Sequence, residues 1–174
     1  GDDGEPGEDK AEKTKDASGV PEKKPVYPED PWKKAAWDVK VPEGANWGME
    51  AIRAPQAWGY LEELNSVGIG LIDGMVNTDH EDLSATCYLS LTNIEDNTSA
   101  TVEVTPKSLT PSDHGSHVAG IMAAKWNAEG VSGVLGDKAE LFYSAAYNIK
   151  DDSVVSEYYD AYNYVKAIKV LVDA

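Results

Sequence analysis

A short apolar run constrains the fold of this chain more than any other feature of its sequence. Residues 67–72 read V-G-I-G-L-I, and Asp73-Gly74 follows directly. A continuous apolar run of this length, ended by a turn signal, is typical of a strand that is buried on both faces. Such strands occur mainly in parallel sheets that carry helices on both sides. The run therefore predicts an α/β fold.

The rest of the chain alternates between helix and strand patterns. Ala54-Pro55 places proline in a first turn and begins a helix that is predicted to end near Glu63. Residues 114–125 are apolar or small nearly throughout, which predicts a closely packed helix, and residues 141–146 predict a second strand. Residues 84–112, rich in threonine and serine, are predicted to be an exposed insertion. Strands alternating with helices imply a parallel sheet covered on both faces.

A last helix is predicted to begin at Asp151-Asp152-Ser153, because these residues supply an acidic first turn and a capping side chain. Apolar residues then recur at spacings of three and four, which is typical of the buried face of an amphipathic helix. This stripe consists of Tyr158, Ala161, Tyr162, Val165, Ile168 and Val172.

The N-terminal residues differ in composition from the rest of the chain. Residues 1–30 mix Gly, Pro, Lys, Glu and Asp with almost no branched aliphatic side chains, so they bury too little apolar area to offset the entropy of ordering them. We predict an acidic low-complexity tail there. Residues 31–46 add Trp32 and Trp37 among prolines and lysines, which predicts an extended linker leading into the domain. The folded domain is predicted to span residues 47–174.

Charge and cysteine content exclude several kinds of partner and site. The chain of 174 residues carries 31 acidic and 15 basic residues, and a net charge of -16 repels phosphate backbones, so nucleic acid is not expected as a partner. Cys87 is the single cysteine, which excludes an internal disulfide and a cysteine-cluster metal site. No apolar run approaches the ~20 residues of a spanning helix, so no membrane span is predicted.

Polar residues beside the predicted strand and helix are candidates for chemistry. Functional groups collect where parallel strands end, and Asp73 follows the first strand, although an Asp-Gly pair also fits an ordinary turn. His114 and His117 lie three residues apart at the start of the predicted helix. The pair fits a metal site without evident further ligands, a histidine that satisfies core neighbours, or a general base oriented by an aspartate. The residues alone leave these interpretations open.

Four sequence motifs, in the same order, resemble those of the subtilisin-like serine proteases. Residues 113–121 read D-H-G-S-H-V-A-G-I and resemble the histidine motif H-G-T-H-V-A-G, with Ser116 in place of threonine. G-L-I-D at 70–73 and H-E-D-L at 80–83 resemble the aspartate motif and the H-P-D-L that follows it. The resemblance implies a three-layer, parallel-sheet subtilisin-like fold that is incomplete in this chain. The other two motifs are residues 47–55, similar to the start of the mature catalytic domain, and the glycine-rich residues 130–136.

The resemblance also implies an activity, that of a serine endopeptidase with an Asp-His-Ser triad. In this family an imidazole removes the serine proton and a carboxylate orients the imidazole. These roles fall on His114 and Asp73, and His117 is left as a structural residue. The nucleophile motif G-T-S-M-A does not occur in the sequence. We therefore expect the chain to be inactive alone and to need the missing C-terminal part of the catalytic domain, as a continuation or as a second chain.

One departure from the family pattern supports an alternative function. The family has Ser or Thr and then Gly after the catalytic aspartate, whereas this chain has Gly74-Met75. Together with the absent serine motif, this departure is the basis for a non-catalytic subtilase-like module, which would be a pseudoprotease or an interaction domain. The two alternatives differ in whether the complete protein reacts with a serine-directed probe.

A structural calcium ion is a further implication of the resemblance. Counting without gaps from Asp73 and His114 places Glu43, Asp82 and Asn127 at the calcium positions of the family. Their side-chain oxygens, with loop carbonyls, are the hard ligands that calcium prefers. The usual location of members of this family, together with the acidic tail, implies an extracellular or cell-surface protein of bacterial type. The resemblance implies a protein or peptide as its substrate.

Overall fold

The computed structural model of the chain describes residues 19, 21–29, 47–104, 113–151, 153–157 and 160–174. None of the helices in these residues has the length and apolar character to span a bilayer. Short 3-10 turns occupy Leu61–Glu63 and Gly136–Lys138. The helices and strands are α1 (Trp47–Ala51), α2 (Ala54–Trp58), β1 (Val67–Ile72), β2 (Ala85–Asn93), β3 (Thr98–Val104), α3 (Asp113–Ala123), β4 (Ala139–Lys150), β5 (Ser153–Glu157) and α4 (Ala161–Asp173).

The strands of the described part form one mixed sheet in the order β1-β4-β2-β3, with β5 also paired to β4. β4 lies between β1 and β2 and runs parallel to both, so that Tyr143 has Leu71 on one side and Cys87 on the other. β3 is antiparallel to β2, and β5 is antiparallel to β4. The expected parallel sheet is therefore present at the centre, and antiparallel strands extend it.

The face of the sheet towards α3 carries the main apolar core. α3 contacts this core through Ala119 and Ala123, and such small side chains let the helix backbone approach the sheet closely. Tyr143 is fully buried at the centre, and its hydroxyl donates a hydrogen bond to the Val76 carbonyl at 3.4 Å. The strands contribute Leu71, Cys87, Leu89, Leu141, Tyr143, Ala145 and Tyr147.

The opposite face of the sheet is polar and lies under α4. Asn163 of α4 is buried and donates a hydrogen bond from Nδ2 to Thr92 Oγ1. Gly70 leaves room for the helix, because a Cβ there would already lie 3.4 Å from the Leu171 side chain. The buried polar residues of the strands are Ser90, Thr92, Ser144 and Asn148. Side chains alternate between the faces of a strand, so α3 and α4 lie on opposite faces and the α/β arrangement has three layers.

The start of α4 differs from the sequence prediction. Asp151 has a φ of 50°, a left-handed conformation that Asp tolerates in turns, and it leads into β5 instead of a helix. Asp160 is the actual N-cap, since its Oδ1 accepts a hydrogen bond from the Asn163 N–H at 2.7 Å. The side chain of Tyr158, predicted in the apolar stripe, lies outside the described residues.

The predicted apolar stripe is not the face by which α4 contacts the sheet. Val165 is 65% exposed and Val172 is 77% exposed, whereas Ala167 is 2% exposed. Tyr162 and Ile168 are exposed as well. The prediction of a buried stripe is therefore wrong for the described part of the chain, because the sheet presents a polar row to α4 and Asn163 and Ala167 fit against it.

The first strand is also less buried than its sequence predicts. Within the described residues β1 pairs only with β4, which makes it an edge strand. Val67 is 47% exposed, and Leu71 is the one buried residue of β1. An apolar run predicts that a strand is buried. The described part of the chain provides a neighbouring strand on only one side of β1, so β1 stays partly exposed.

Residues 84–112 were predicted to be an exposed insertion, and this is wrong for the residues that the structure describes. β2 and β3 occupy most of the segment and pair in antiparallel register from Asn93 opposite Thr98 to Cys87 opposite Val104. Cys87 and Ser90 are buried. Threonine and serine are compatible with strands because their small polar side chains can pair across neighbouring strands. Residues 105–112 lie outside the described part.

A second, smaller apolar cluster joins α2 to the loop after α3. Trp58 packs against Trp126 with ring centroids 4.9 Å apart in an edge-on arrangement. The Trp58 Nε1–H donates to the Val134 carbonyl at 2.6 Å. α2 ends at Trp58, and the 3-10 turn continues to Glu63, so the single helix predicted for this segment is divided in two.

One stretch of the predicted N-terminal tail contacts the domain. Residues 21–29 lie against α2, where the Val26 N–H donates to the Pro55 carbonyl at 2.9 Å. The composition of residues 1–30 does not predict this contact. The predicted linker, residues 31–46, lies outside the described residues.

Candidate active site

Asp73 follows β1 directly and is held in place by two backbone contacts. Its N–H donates to the Ser144 carbonyl at 3.1 Å, which continues the pairing of β1 with β4. The Gly74 N–H donates to Asp73 Oδ1 at 2.7 Å. The side chain is 15% exposed. Both the position and the orientation of the carboxylate are therefore fixed by the end of the strand.

His114, the second residue of α3, lies next to Asp73. The two residues are 41 positions apart in sequence, yet His114 Nδ1 is 2.8 Å from Asp73 Oδ1. An ionised carboxylate can only accept a hydrogen bond, so Nδ1 carries the proton and donates it. In the neutral ring Nε2 is then an acceptor, and the His114 side chain is 76% exposed. The structure thus brings the two predicted catalytic residues together with one ring nitrogen facing solvent.

Two residues beside His114 hold α3 against the loop that carries Asp73. Gly115 is buried, and a Cβ at this position would collide with the Gly74 carbonyl oxygen, so glycine is needed for the two backbones to approach this closely. Ser116 Oγ accepts a hydrogen bond from the Asn77 N–H at 2.9 Å. Both residues lie in the histidine motif, but their roles are not predictable from the sequence, because these contacts exist only once the helix lies beside the loop.

Met75, the departure from the family pattern, is a core residue. It is 1% exposed and belongs to the main apolar cluster with Leu71 and Tyr143. The bulk of this side chain is accommodated in the core, and the 2.8 Å contact between His114 and Asp73 exists beside it.

Asp73 and His114 lie within the part of the chain that matches a known protein family. The sequence profile described as Subtilase family matches residues 65–172, which is more than half of the chain and includes both residues. This chain belongs to the subtilase family. Membership indicates serine protease function and peptide substrates. No curated protein and no solved structure gives a significant match.

The residues of the predicted calcium site that the structure describes are Asp82 and Asn127. They lie where the loop after α3 contacts the segment that carries Asp82. The Asp82 side chain is buried, and its Oδ2 accepts a hydrogen bond from the Val131 N–H at 3.0 Å. A Cβ at Gly130 would collide with this carboxylate, so the loop approaches it as closely as glycine allows. Asn127 lies on the same loop and donates from Nδ2 to the Glu81 carbonyl at 3.3 Å. Asp82 and Asn127 are thus on contacting segments.

The residues around Asp82 fit a bound calcium ion. Asp82 Oδ1 is buried without a hydrogen-bond donor, and a buried carboxylate oxygen in that position is favourable only if a cation or a donor approaches it. Asn127 Oδ1 accepts the Glu129 N–H at 3.0 Å and retains a second lone pair. Glu43 lies outside the described residues. No three His, Cys, Asp or Glu side chains cluster within the described part, so further ligands from that part would be neutral oxygens such as backbone carbonyls.

A largely apolar cavity of about 700 Å³ lies along α3. α1 contributes Trp47 to its wall, and α3 contributes His117, Gly120 and Ile121. The cavity reaches Asp82, but Asp73 and His114 do not line it. It is therefore separate from the aspartate–histidine pair and lies beside the helix that carries the histidine.

Proposed function

We propose that this chain supplies the aspartate and the histidine of the catalytic triad of a serine endopeptidase. The observation that carries the proposal is the 2.8 Å contact of His114 Nδ1 with Asp73 Oδ1 in a chain of the subtilase family. Asp73 orients the ring and His114 is the general base. The serine comes from polypeptide outside residues 1–174, because the sequence lacks the nucleophile motif.

The proton path follows from which ring nitrogen is occupied. Asp73 accepts from Nδ1–H, so Nε2 takes the serine proton as the hydroxyl attacks the peptide carbonyl. The carboxylate stabilises the resulting imidazolium, which then gives the proton from Nε2 to the leaving amine. Asp73 stays ionised throughout. The exposure of the His114 ring leaves Nε2 accessible to a serine on a neighbouring segment.

The test uses the complete protease, which is this chain together with the polypeptide that supplies the serine. Asp73→Asn preserves shape but favours the wrong tautomer, and we expect kcat to fall by about 10⁴-fold. His114→Ala should abolish labelling by a fluorophosphonate probe, since an unactivated serine is a poor nucleophile. His117→Ala is the matched control, because His117 is also an exposed histidine of α3 and does not contact Asp73.

Two outcomes would separate this function from its alternative. Failure of the complete, folded protein to react with the probe would contradict the protease and support a non-catalytic module. Equal loss of labelling in His117→Ala and His114→Ala would contradict the assignment of the base. On this chain alone, a strongly downfield Nδ1 proton resonance should be present in the wild type and absent in both His114→Ala and Asp73→Asn.

We further propose that the C-terminal part of the catalytic domain, as a continuation or as a second chain, covers the exposed apolar surface. Support comes from β1, which is an edge strand with Val67 47% exposed, and from Val172 of α4, which is 77% exposed. Apolar patches of this kind mark interaction surfaces. The chain alone should bind a hydrophobic dye, and the complete protease should bind much less. Equal dye binding by both would contradict this.

A structural calcium ion at Asp82 and Asn127 is part of the proposal. The buried Oδ1 of Asp82 supports it, as does the loop that folds back onto this carboxylate. Glu43, whose position in space the structure does not describe, remains a proposed third ligand. The ion would neutralise a buried negative charge and fix the loop to the segment after β1.

Thermal unfolding tests the calcium site without any activity assay. At about 100 times its dissociation constant, calcium should add about 2.7 kcal/mol to the free energy of unfolding. Asp82→Asn should remove this gain, and Asp79→Asn, which changes an exposed carboxylate of the same segment, should retain it. A melting temperature that is unchanged by calcium and by its chelator would contradict the site.

The proposed location is extracellular or at the cell surface of a bacterium. The usual location of members of the family and the acidic N-terminal composition support this location. Recovery of the native protein in the cytoplasmic fraction of its source cells, with none in the medium or envelope, would contradict it.

A further inference from the structure

The segment at residues 21–29, called the arm here, is held on the domain by specific contacts. The Tyr60 hydroxyl accepts a hydrogen bond from the Lys23 N–H at 3.2 Å and donates one to the Pro21 carbonyl at 3.1 Å. The Val26 N–H donates to the Pro55 carbonyl at 2.9 Å. The Tyr60 hydroxyl thus bridges two backbone groups of the arm, and the Pro55 carbonyl of α2 binds a third backbone group.

Side chains add to these backbone contacts. The Lys23 ammonium pairs with Glu63 and lies 5.9 Å from the centre of the Tyr60 ring. The hydrogen bond with Glu63 raises the pKa of Lys23 above its ordinary value. Pro28 is buried, although most of the arm is exposed. The contacts therefore involve the Lys23 side chain and backbone groups of the arm, and Pro28 is buried further along the arm.

The domain side of this contact is shaped for a backbone at close range. A Cβ at Gly59 would lie 2.6 Å from the Lys24 carbonyl oxygen and 3.0 Å from Lys23 Cβ. Gly59 has an ordinary φ of -58°, so glycine is not required here by the local backbone. The missing side chain instead creates the space that the arm occupies.

The composition of the arm lowers the entropy cost of docking it. Pro21, Pro25 and Pro28 each fix one backbone dihedral, so fewer conformations are lost when the segment is bound. Short, proline-bearing peptides are bound by domains in this way, with an aromatic side chain and a few polar groups on the receptor. The contacts at Tyr60 and Glu63 are of that kind.

We propose that Pro55, Gly59, Tyr60 and Glu63 form a binding site for a lysine- and proline-bearing peptide, the arm site, whose resident ligand is the arm of the same chain. This function is independent of the proposed catalytic role, since neither Asp73 nor His114 is part of the arm site. Docking also controls access to the peptide bond between Lys23 and Lys24. When the arm is docked, that bond is held against Gly59; when it is released, a protease specific for basic residues can cut it and remove the acidic N-terminal residues.

Limited trypsin digestion of the full chain tests the docked state. Cleavage between Lys23 and Lys24 is followed by mass spectrometry as the fragment that begins at Lys24. Gly59→Ala should raise its rate about 10-fold, because proteolysis follows the released population and a tenfold change corresponds to about 1.4 kcal/mol. Tyr60→Phe should also raise it, since both phenol hydrogen bonds are lost. The matched control is Gly48→Ala, where a Cβ meets nothing within 4 Å.

Binding in trans tests whether the site recognises the peptide as a ligand. Val26→Pro removes the N–H that donates to Pro55, so the resident arm of that variant leaves the site more often. A fluorescent peptide of residues 19–29 should bind the Val26→Pro chain at least about 10-fold more tightly than the wild-type chain, in which the arm competes at high effective concentration. It should not bind the Val26→Pro, Gly59→Ala double variant.

Three results would overturn the arm site. One is an equal cleavage rate in Gly59→Ala, Gly48→Ala and the wild type, with all three folded by circular dichroism. A second is equal cleavage in Tyr60→Phe and the wild type, which keeps the test valid if Gly59→Ala fails to fold. The third is equal peptide binding by the Val26→Pro chain and by the double variant, which would show that the peptide binds elsewhere.

Discussion

The two faces of the central sheet are covered by helices of opposite character. α3 is built from small residues and packs Ala119 and Ala123 onto an apolar face. α4 has a clear apolar stripe in its sequence, yet it packs Asn163 and Ala167 onto a polar face and leaves the stripe exposed. The helix with the weaker amphipathic pattern is therefore the better buried of the two.

A small-residue pattern and an apolar stripe carry different information about a helix. Small residues determine how closely a helix can approach its neighbour. That distance depends only on the helix and on the strands that it contacts. An apolar stripe reports that some surface avoids water, but it does not say which element covers that surface. On the α3 side the covering sheet is in the described chain. On the α4 side the sheet contacts the polar edge of the helix, and the stripe is exposed in the described part of the chain.

Gly115→Ala is the substitution with the largest expected effect on the α3 side. The added Cβ collides with a backbone carbonyl at Gly74, which cannot move without shifting Asp73. We expect a loss of about 2–3 kcal/mol in the free energy of unfolding, as for overpacked cores. Urea unfolding measures this loss, and the downfield Nδ1 proton resonance of His114 should weaken in parallel.

Gly120→Ala is the control for this helix. Gly120 also lies in α3, but a Cβ there meets nothing within 4 Å. Alanine favours a helix over glycine by about 0.5–1 kcal/mol, so this variant should be neutral or slightly more stable. If both variants lose the same stability, the close approach of α3 to the Asp73 loop is not the cause.

Asn163→Ala is the corresponding test on the α4 side. It removes the buried hydrogen bond to Thr92 and leaves that hydroxyl with only its 3.4 Å contact to Ser99 Oγ, and we expect a loss of about 1–3 kcal/mol. Thr92→Val should cost a similar amount because it leaves the Asn163 amide unsatisfied. In a double-mutant cycle the two losses should be clearly less than additive. Additive losses would mean that the pair does not act as one contact.

The parts of the fold that the sequence predicted are those decided by local pattern. β1, β4 and α3 lie where their apolar or small-residue runs predict. β2 and β3 were missed because Thr and Ser within residues 84–112 are typical of loops as well as of strands, and pairing across the sheet decides between them. The start of α4 was missed because Asp151 and Asp160 both fit a cap, and the pairing of β5 with β4 selects the second.

The residues of the candidate site could be named from the sequence, but their geometry could not. The motif resemblance named Asp73 and His114, and the structure brings them to 2.8 Å. The contacts that set this distance, at Gly115 and Ser116, depend on how α3 meets the Asp73 loop, which no local pattern contains. Asp82 and Asn127 came from counting positions in the family pattern, and Glu43 lies outside the described residues.

Alkaline pH should destabilise the folded chain through the apolar core on the α3 side of the sheet. Burial raises the pKa of Cys87 and of Tyr143, which contact each other in the apolar core. The folded state therefore holds the thiol and phenol protons more tightly than the unfolded state does. The stability that this contributes is fully present below the pKa values of the unfolded chain, which are about 8.5 for Cys and about 10 for Tyr. It is lost as the pH rises above those values towards the higher pKa values of the folded state. Cys87→Ala should remove the first part of this decline.

The measurement is the free energy of unfolding in urea between neutral pH and pH 10. The slope against pH is compared between wild type and Cys87→Ala, because the cavity left by alanine shifts the absolute values at every pH. Identical slopes below pH 10 would show that the thiol does not titrate differently in the folded and unfolded states.

The smallest expected effect belongs to the exposed stripe of α4. Val165→Lys changes a side chain that is 65% exposed, so the free energy of unfolding of the chain alone should change by no more than about 0.5 kcal/mol. Ala167→Val, two residues away on the buried side, should cost about 1–3 kcal/mol by overpacking. A loss above about 1 kcal/mol in Val165→Lys would mean that residues outside the described part already cover the stripe. If instead Val165→Lys is neutral in this chain but weakens association with the serine-bearing polypeptide, the stripe is the surface on which that polypeptide docks, and the contrast between the two helices reflects a domain shared between segments.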